Sequence, residues 1–281
     1  TVLIAARIAP LTTRIGLLPT VTVTHTEPFH TSKAIATLDY VSGGRAGVVL
    51  AVDDRPENVS LFGRRNLEVA SDRAALHREA AEYAGVIGRL WDSWEDDAEI
   101  RDVATGRFID RDRLHYIDFE GAHFSVRGPS ITPRPPQGHP VIVQAGTSDD
   151  GMDVAARFAE VIFGAPLTKE ASQTYFKEVK TRAQDKFGRN PDHLKVMPGL
   201  SIYVGRTEQE ANEKFDYQNS LMHPVVAREI LSTVLGNVDL TPYDFDGPLP
   251  ENLPMSNASQ STFKYVTELA KKDKLSMRQI A

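Results

Sequence analysis

Cysteine is absent from this 281-residue sequence, and its absence excludes both a disulfide framework and a metal site built from thiolates. Long apolar runs are also missing, since none approaches the ~20 residues that a membrane-spanning helix needs. Positive charge is not in excess either. The formal net charge is -6, which gives no electrostatic reason to expect binding to nucleic acid or to an anionic membrane. A chain without cysteine fits a reducing compartment, and we therefore expect a cytoplasmic protein.

What the sequence does contain is ordinary for a globular protein. It is 41% hydrophobic and 25% charged, and it is long enough for one large α/β domain or two small ones. Short apolar β-branched runs alternate along the chain with segments of helical periodicity. This alternation predicts a parallel sheet covered by helices, either as an α/β barrel or as a doubly wound sheet.

The stretch 141–163 predicts a compact succession of strand, turn, helix and strand. Val141, Ile142 and Val143 have the composition of a strand buried on both faces, and residues 161–163 repeat that pattern. Between them lies an apolar stripe at helical spacing, formed by Met152, Ala155, Ala156 and Ala159. A unit this short implies that the two strands are parallel neighbours joined by a right-handed crossover.

The turn between this strand and this helix, Gly146-Thr147-Ser148, has two interpretations. Free backbone N–H groups at a helix N-terminus, two hydroxyl groups and a glycine that allows close approach are suited to binding a phosphate. However, Asp149 and Asp150 would repel an anion, and they already complement the helix dipole. The same residues are therefore also typical of Ser148 as a plain N-cap followed by an acidic first turn.

Two further strands are predicted in the first part of the chain. Residues 15–24 have strand composition, and threonines alternate with valines from Thr20 to Thr24, so that one face could line a polar pocket while the other packs under a helix. Residues 48–52 form an apolar run typical of a buried strand. The glycine-rich connector 39–47 precedes this strand, whereas phosphate-binding loops follow theirs. We therefore interpret it as a helix-to-strand turn.

The remainder of the chain predicts helices and loops with one long excursion. Residues 53–78 are polar and irregular, as is typical of a loop at the functional edge of a sheet. Residues 95–140 form an excursion that is either a lid or interface, or a solvated surface insert. The other predicted elements are a hairpin at 119–126, helices at 80–94, 175–187 and 262–272, a strand at 195–204, a capping box of Thr207 with Glu210, a loop at 236–262 and a helix that begins at Ser276.

Several short motifs run along nearly the whole chain in the order in which one known family carries them. They are Thr-Arg-Ile-Gly-Leu at 13–17, Glu-Pro-Phe-His at 27–30, Leu-Asp-Tyr-Val-Ser-Gly-Gly-Arg-Ala-Gly at 38–47, Leu-Trp-Asp-Ser-Trp at 90–94, Gly-Ala-His-Phe-Ser-Val-Arg-Gly-Pro at 121–129, Pro-Arg-Pro-Pro-Gln-Gly at 133–138, Gln-Ala-Gly-Thr-Ser at 144–148 and Pro-Gly-Leu-Ser at 198–201. Together they resemble the bacterial-luciferase-like flavin monooxygenases, in the branch of nitrilotriacetate, dibenzothiophene-sulfone and long-chain alkane monooxygenases.

The resemblance implies a fold and an activity. The fold would be a single TIM (β/α)8 barrel domain over residues 1–281, with reduced FMN bound at the carboxyl ends of the strands. The activity would be that of a two-component enzyme, in which a separate NAD(P)H:flavin reductase supplies reduced FMN and the oxygenase uses O₂ to oxygenate a small organic substrate. We also expect a homodimer or a larger homo-oligomer.

The resemblance assigns cofactor-binding roles to particular residues. The turn at Gly146, Thr147 and Ser148 falls where the family holds the FMN phosphate. Thr22 and Thr24 fall on a strand whose end faces the flavin. The catalytic residues are not identified, and no metal site is expected.

Three features depart from the pattern of the family. Val48-Val49 and Val52-Asp53 stand where the family usually has Trp-Asn and Thr-Ser, which removes an amide and hydroxyls expected near the flavin. His77 stands where the family usually has a tyrosine; it could donate to a phosphate, or it could be an exposed histidine in a loop. The family's first two strands and its last have no counterpart, so that about five of eight strands are expected, too few to close a barrel of that type.

These departures leave two other functions open. The first is a non-catalytic paralogue or fragment that binds flavin or serves as an assembly subunit. The second is an oxidoreductase that uses the deazaflavin F420 in place of FMN, as some luciferase-like relatives do. The sequence does not identify the substrate, because an organosulfur compound, an amino-polycarboxylate and an alkane are all compatible with the resemblance.

Overall fold

The computed structural model describes residues 1–53, 56–65, 73–146, 148–164, 168–253 and 260–281. Within these ranges the chain divides into two compact units, Thr1–Gly199 and Leu200–Ala281. None of the helices in the described ranges is both long enough and apolar enough to cross a membrane.

Nine strands and ten α-helices lie in the described parts of the chain. The strands are β1 (Thr20–Thr22), β2 (Gly47–Ala51), β3 (Glu99–Asp102), β4 (Arg107–Ile109), β5 (Phe119–Glu120), β6 (Ser125–Val126), β7 (Val141–Gln144), β8 (Val161–Gly164) and β9 (Lys195–Pro198). The helices are α1 (Val2–Ile8), α2 (Pro28–Ser42), α3 (Pro56–Val59), α4 (Arg73–Trp91), α5 (Asp149–Phe158), α6 (Lys169–Asp185), α7 (Glu208–Ser220), α8 (Pro224–Val234), α9 (Gln260–Asp273) and α10 (Met277–Ile280).

A five-stranded sheet in the order β1-β2-β7-β8-β9 is the centre of the first unit. Each neighbouring pair of strands is parallel, with Thr22 opposite Ala51 at one side of the sheet and Gly164 opposite Pro198 at the other. Parallel pairing requires the chain to return to the same end of the sheet before each new strand, and helices or the long excursion provide that return. The predicted parallel α/β sheet is therefore confirmed, and its closure into a barrel stays a prediction.

The two faces of this sheet differ in what covers them. On one face a core cluster joins strands β1, β2 and β7 to helices α2 and α4, and its larger members are Val21, Val48, Leu50, Ile142, Ile35, Tyr83 and Trp91. Side chains alternate along a strand, so Thr22, Phe163 and Met197 point to the opposite face. Phe163 and Met197 are 53% and 56% exposed there. The prediction that the threonine-rich strand packs one face under a helix is confirmed, and a polar pocket on its threonine face stays a prediction.

Two strands are shorter than the sequence predicts. The strand predicted at 15–24 begins at Thr20. Pro19 has no N–H for a ladder, and Leu17 makes only an isolated bridge to Ala46. The strand predicted at 195–204 ends at Pro198, opposite Gly164, where its partner strand β8 also ends.

Three helical predictions also need correction. The loop predicted at 53–78 contains α3 and the first residues of α4. Helix α4 ends at Trp91, so Trp94 lies beyond it and instead bridges to Leu114. Helix α6 begins earlier than predicted, because the Thr168 hydroxyl accepts the Ala171 N–H at 3.1 Å and so caps the helix.

The glycine-rich connector between α2 and β2 is a helix-to-strand turn, as predicted. Gly43 ends α2 with φ 66° and ψ 46°, and Gly44 follows with φ 81°, both in the left-handed region that favours glycine. The Arg45 guanidinium then donates to the backbone carbonyls of Ala9, Thr12, Ile15 and Ser42. This family motif therefore holds the segment 9–15 against the sheet.

The excursion contains two antiparallel hairpins, β3 with β4 and β5 with β6. The second confirms the hairpin predicted at 119–126. The Glu82 carboxylate on α4 accepts the N–H groups of Ala122, His123 and Phe124 at 2.7–3.0 Å. The hairpin is thereby fixed to α4. Whether the excursion acts as a lid or an interface stays a prediction.

The second unit has its own core cluster, formed by Ala227, Leu231, Leu235, Leu240, Phe245, Val266 and Met277. Neither helix nor strand interrupts residues 236–253, which agrees with the predicted loop, whereas residues 254–259 of that prediction lie outside the described residues. Helix α9 begins at Gln260, close to its predicted start.

The predicted capping box at α7 is only half formed. Thr207 accepts the Glu210 N–H at 3.1 Å, but the Glu210 carboxylate accepts the N–H of Arg206, at 2.7 Å, and not that of Thr207. A complete box occurs instead at α10, where Ser276 and Gln279 cap each other, and this helix begins where the sequence predicts.

Candidate functional site

The predicted site residues lie at the carboxyl edge of the parallel sheet and on a neighbouring helix. Thr22 ends β1, Thr24 follows it, and Gly146 and Ser148 follow β7. His77 lies on α4. Thr147, which was also predicted to bind the cofactor, lies outside the described residues.

Ser148 is the N-cap of α5, as the simpler interpretation of the turn predicts. Its backbone is extended, with φ -76° and ψ 159°, and its Oγ accepts the Gly151 N–H at 3.2 Å. A hydroxyl that accepts in this way still has its own proton to donate. The capping role and the phosphate-binding role are therefore compatible on one side chain, and Ser148 is exposed.

The backbone approaches itself closely in this turn. A Cβ on Gly146 would lie 3.0 Å from the Gly151 Cα, and a Cβ on Gly151 would lie 3.0 Å from the Ser148 Oγ. A side chain at either position would therefore require a neighbour to move by a few tenths of an ångström. We call this closely packed turn at the N-terminus of α5, formed by Gly146, Ser148 and Gly151, the cradle.

His77 lies against this cradle. Its Nε2 is 3.4 Å from the point that a Cβ on Gly151 would occupy, and the side chain is buried. The alternative of an exposed loop histidine is therefore wrong, because His77 belongs to α4, which packs against α5. His77 also lines a cavity of about 190 Å³ between these two helices. The structure thus places Gly146, Ser148 and His77 around Gly151, and their role in binding a cofactor stays a prediction.

Two residues that sequence reasoning missed support the turn. The Tyr175 hydroxyl on α6 donates to the Gly146 carbonyl at 2.7 Å, and burial, with the nearby charge of Glu178, raises the pKa of Tyr175 to about 12. The phenol therefore remains a donor throughout the physiological range. Asp149, which would repel an anion, is paired with the Arg182 guanidinium. Neither contact could be read from a local pattern, because each joins residues about thirty positions apart.

Arg182 has other carboxylate partners besides Asp149. It bonds Asp153 at 3.2 Å and also pairs with Glu178. Burial alone would lower the pKa of this guanidinium, but the hydrogen bonds that it donates to the three carboxylates outweigh burial and raise its pKa. The acidic first turn of α5 is therefore partly neutralised from α6, which weakens the electrostatic objection to an anion at the turn.

Thr24 has a different environment from the one predicted. Its side chain is fully buried, its hydroxyl donates to the Asp53 carbonyl at 2.9 Å, and it accepts the Asp53 N–H at 3.2 Å. The single hydroxyl proton of Thr24 is thus used in the hydrogen bond to the Asp53 carbonyl. For this hydroxyl to donate to a cofactor, its hydrogen bond to Asp53 would have to break. Thr22 is half-buried on the sheet face away from the helices.

His25, which the sequence analysis did not single out, follows Thr24 at the same edge. The side chain is 7% exposed, and its ring stacks on Phe62 with centroids 4.7 Å apart and an interplanar angle of 11°. Both ring nitrogens are buried without a hydrogen-bond partner. Burial lowers the pKa of His25, and the charge of Asp53 and the backbone of Thr24 oppose that effect only in part.

The segment that carries Phe62 is held over the end of β1 by two arginines. Arg65 Nε donates to the Thr24 carbonyl at 3.0 Å, and Arg64 donates to the Thr26 carbonyl at 2.9 Å. Both guanidiniums also pair with the buried carboxylate of Glu79. The stack of Phe62 on His25 is therefore fixed by backbone contacts on either side of His25.

The site consequently has two parts. One is the cradle after β7, and the other is the region after β1 where His25 stacks on Phe62 and its ring nitrogens lack hydrogen-bond partners. Strand β2 separates them, which corresponds to about 10 Å across the sheet. Among the described residues, no group of three or more His, Asp or Glu side chains is placed to hold a metal ion.

Comparison with known proteins gives matches over most of the chain. A model of the luciferase-like monooxygenase family matches residues 1–275. Nitrilotriacetate monooxygenase component A from Aminobacter aminovorans is 42% identical over 275 residues, which are 98% of this chain and 60% of the relative. Dibenzothiophene-sulfone monooxygenase from Rhodococcus erythropolis is 36% identical over 253 residues, which are 89% of this chain and 54% of the relative.

Solved structures agree with these matches. A crystal structure of long-chain alkane monooxygenase has a TM-score of 0.80 at 27% identity, over 95% of this chain and 58% of that one. A crystal structure of a riboflavin lyase with modified FMN and riboflavin has a TM-score of 0.81 at 28% identity, over 94% of this chain and 57% of that one. The chain thus spans between 54% and 60% of the length of these proteins. With the parallel α/β sheet and the glycine-bounded turn at its carboxyl edge, these matches confirm the resemblance, and the chain belongs to the luciferase-like monooxygenase family.

Proposed function

We propose that this chain is the oxygenase component of a two-component monooxygenase, which binds reduced FMN and uses O₂ to oxygenate a small organic substrate. The observation that carries the proposal is the cradle of Gly146, Ser148 and Gly151 with His77 beside it. A separate NAD(P)H:flavin reductase would supply the reduced flavin. The monooxygenase relatives and the FMN in a structural neighbour support this assignment.

The cradle would hold the phosphate. Free N–H groups at the start of α5 and the Ser148 hydroxyl would donate to phosphate oxygens, and an imidazole N–H of His77 could add a further bond. Gly146 and Gly151 have no side chain that would stand between a phosphate and the backbone of the turn. Tyr175 and Arg182 would keep this turn in place, since one bonds its carbonyl and the other neutralises its first acidic residue.

The carboxyl edge of the sheet would hold the ring. When bound, FMN supplies the electrons for the reaction with O₂, and the protein orients the ring, admits the substrate and excludes water. Thr22 and the region around His25 are the described residues that lie at this edge near β1. The substrate class is not part of the proposal, because relatives that act on chemically different compounds match this chain.

The remaining expectations are proposals about the whole protein. We infer that the five-stranded sheet is part of a (β/α)8 barrel, that residues 1–281 act as one domain, and that the protein is a cytoplasmic homodimer or larger homo-oligomer. Light scattering of the purified protein measures the oligomeric state directly, and a strictly monomeric protein would contradict that part.

The test of the function is an anaerobic titration with reduced FMN, with riboflavin and F420 as comparisons. We expect saturable binding of reduced FMN, weaker binding of riboflavin, and consumption of O₂ above the free-flavin rate when substrate, FMN, NADH and a flavin reductase are present. Failure to bind reduced FMN would contradict the proposal. Tighter binding of F420 would indicate the deazaflavin alternative. FMN binding without O₂ consumption beyond the free-flavin rate would favour a non-catalytic flavin-binding subunit.

A further inference from the structure

Residues 60–65 lie over the end of β1, and we call this segment the strap. Its Phe62 ring stacks on the His25 imidazole, with the two centroids 4.7 Å apart. His25 is 7% exposed although it lies at the edge of the sheet, whereas Phe62 on top of it is 52% exposed. The strap therefore separates the imidazole of His25 from solvent.

The strap buries little apolar surface of its own. Residues 60–64 are all exposed, and Leu61 is 76% exposed. A Cβ on Gly63 would meet no atom within 4 Å. A segment with few buried apolar contacts opens locally at a lower free energy than the whole fold, because its opening brings little apolar surface into water.

Polar contacts attach the end of the strap to α4. The Arg64 Nη2 lies 3.5 Å from one oxygen of the Glu79 carboxylate, and Arg65 donates a hydrogen bond to the other oxygen. The Glu79 side chain is 5% exposed, and a buried carboxylate that loses its cationic partners is strongly destabilised. The carboxylate of Glu79 therefore holds the strap in its closed position.

Closure of the strap also has a cost. Both ring nitrogens of His25 are buried without hydrogen-bond partners, and water would pair with them if the strap were open. This cost opposes the ion pairs at Glu79. The free energies of the closed and open positions therefore differ by less than the ion pairs alone would give.

We propose that the strap opens and closes over the carboxyl end of β1, with Glu79 as its latch. Opening separates Arg64 and Arg65 from Glu79, lifts Phe62 from His25 and admits small molecules to this end of the candidate site. The inference goes beyond the proposed function, because it concerns access to the site whichever ligand binds there. Glu79 acts through the two arginines and is a positioning residue.

The decisive experiment measures how fast diethyl pyrocarbonate, which acylates neutral imidazole, modifies His25 in the full chain. Burial lowers the pKa of His25, so its ring is neutral near pH 7 and its rate reports access to the ring. The exposed His193 is the internal reference, and mass spectrometry gives both rates. In wild type we expect His25 to react much more slowly than His193.

Glu79→Gln keeps the shape of the side chain and removes its charge. This variant should raise the rate at His25, relative to His193, by about tenfold or more, because a hydrogen bond to a charged group is lost on the closed side. Glu268→Gln, at an exposed position of α9, is the control and should leave the ratio unchanged. If Glu79→Gln does not fold, Arg64→Gln, at an exposed position of the strap, takes its place and should raise the ratio in the same direction.

Hydrogen exchange separates opening of the strap from loss of the fold. In Glu79→Gln the amides of 60–65 should exchange faster, while those of the five-stranded sheet should keep their wild-type rates. Faster exchange spread evenly over the sheet and the strap would contradict the inference.

Two results of the acylation experiment would also overturn it. A wild-type His25 as reactive as His193 would show that the strap does not cover the ring. An unchanged rate at His25 in the folded variant would show that Glu79 is not a latch. None of these measurements uses flavin. A protein that binds no flavin would therefore overturn the proposed function and leave this inference standing.

Discussion

At the scale of single residues, the phosphate hypothesis depends on the Ser148 hydroxyl. This hydroxyl accepts a hydrogen bond from the Gly151 N–H and still has a proton to donate to a phosphate oxygen. We predict that Ser148→Ala weakens the binding of reduced FMN by about ten- to a hundredfold, since a hydrogen bond to a charged group is worth about 1.5–3 kcal/mol. Riboflavin has no phosphate, and its affinity should hardly change. Anaerobic titration of both flavins measures the difference.

The control for this variant is another helix cap. Thr207→Ala removes the N-cap hydroxyl of α7, which accepts the Glu210 N–H at 3.1 Å, and each of the two variants should lose about 1 kcal/mol of stability. Only Ser148→Ala should affect FMN. Equal losses of affinity for FMN and riboflavin in Ser148→Ala would mean that the hydroxyl acts as a cap alone.

Tyr175 gives a prediction about pH. Its pKa is raised by burial to about 12 in the folded protein, and a tyrosine in an unfolded chain titrates near 10. The unfolded chain therefore loses this proton first, so the contribution to stability is complete below about pH 10 and is lost as the pH rises towards about 12. The loss is on the order of 2–3 kcal/mol.

Urea unfolding at a series of pH values tests this prediction with Tyr175→Phe. The variant should lose about 1 kcal/mol at neutral pH, for the missing bond to the Gly146 carbonyl, and should fall less steeply in stability above about pH 10. Tyr217→Phe, at an exposed position, is the control. If wild type and Tyr175→Phe show the same slope, the hydroxyl does not titrate as the buried environment requires.

At the scale of elements, the hairpin of β5 and β6 depends on one carboxylate of α4. Glu82 accepts three consecutive N–H groups, from Ala122, His123 and Phe124, and a Cβ on Gly121 would collide with it. We predict that Glu82→Ala costs about 1–3 kcal/mol, since it leaves these donors to water. It should also raise hydrogen exchange in 119–126, measured by mass spectrometry. Glu120→Ala, an exposed residue of β5, should change neither quantity. Unaltered exchange in Glu82→Ala would show that other contacts hold the hairpin.

At the scale of the whole molecule, a ligand that binds only the folded state stabilises all of it. At a free FMN concentration of about one hundred times the dissociation constant, the free energy of unfolding should rise by about 2.7 kcal/mol. Riboflavin at the same concentration should stabilise less, because it does not occupy the cradle after β7. Thermal unfolding with each flavin measures both effects. Equal stabilisation by the two flavins would contradict a phosphate site at the cradle.

The parts of the fold that the sequence predicts are those that depend on neighbouring residues. Gly43 and Gly44 predict the turn after α2, because a helix often ends in a residue with a left-handed backbone and glycine adopts that conformation readily. Ser148 predicts the start of α5, because an N-cap acts on an N–H three residues away. The sequence predicts the bounds of some elements less accurately. Strand β1 begins at Thr20, later than predicted, because a strand exists only where it pairs with a neighbour. Helix α6 begins after Thr168, earlier than predicted, because a helix starts where its cap forms.

The sequence by itself determined the parallel α/β class, the helix-to-strand turn, the polar turn after β7 and the family, since periodicity, caps and ordered motifs are local properties. Only the tertiary structure decided what the site residues can do. The Thr24 hydroxyl is engaged by Asp53, Tyr175 reaches the Gly146 carbonyl, and His25 stacks on Phe62 without a polar partner. Each of these contacts joins residues far apart in the chain. They exist because packing of the helices and the loop against the sheet edge brings those residues together, and no local pattern encodes that packing.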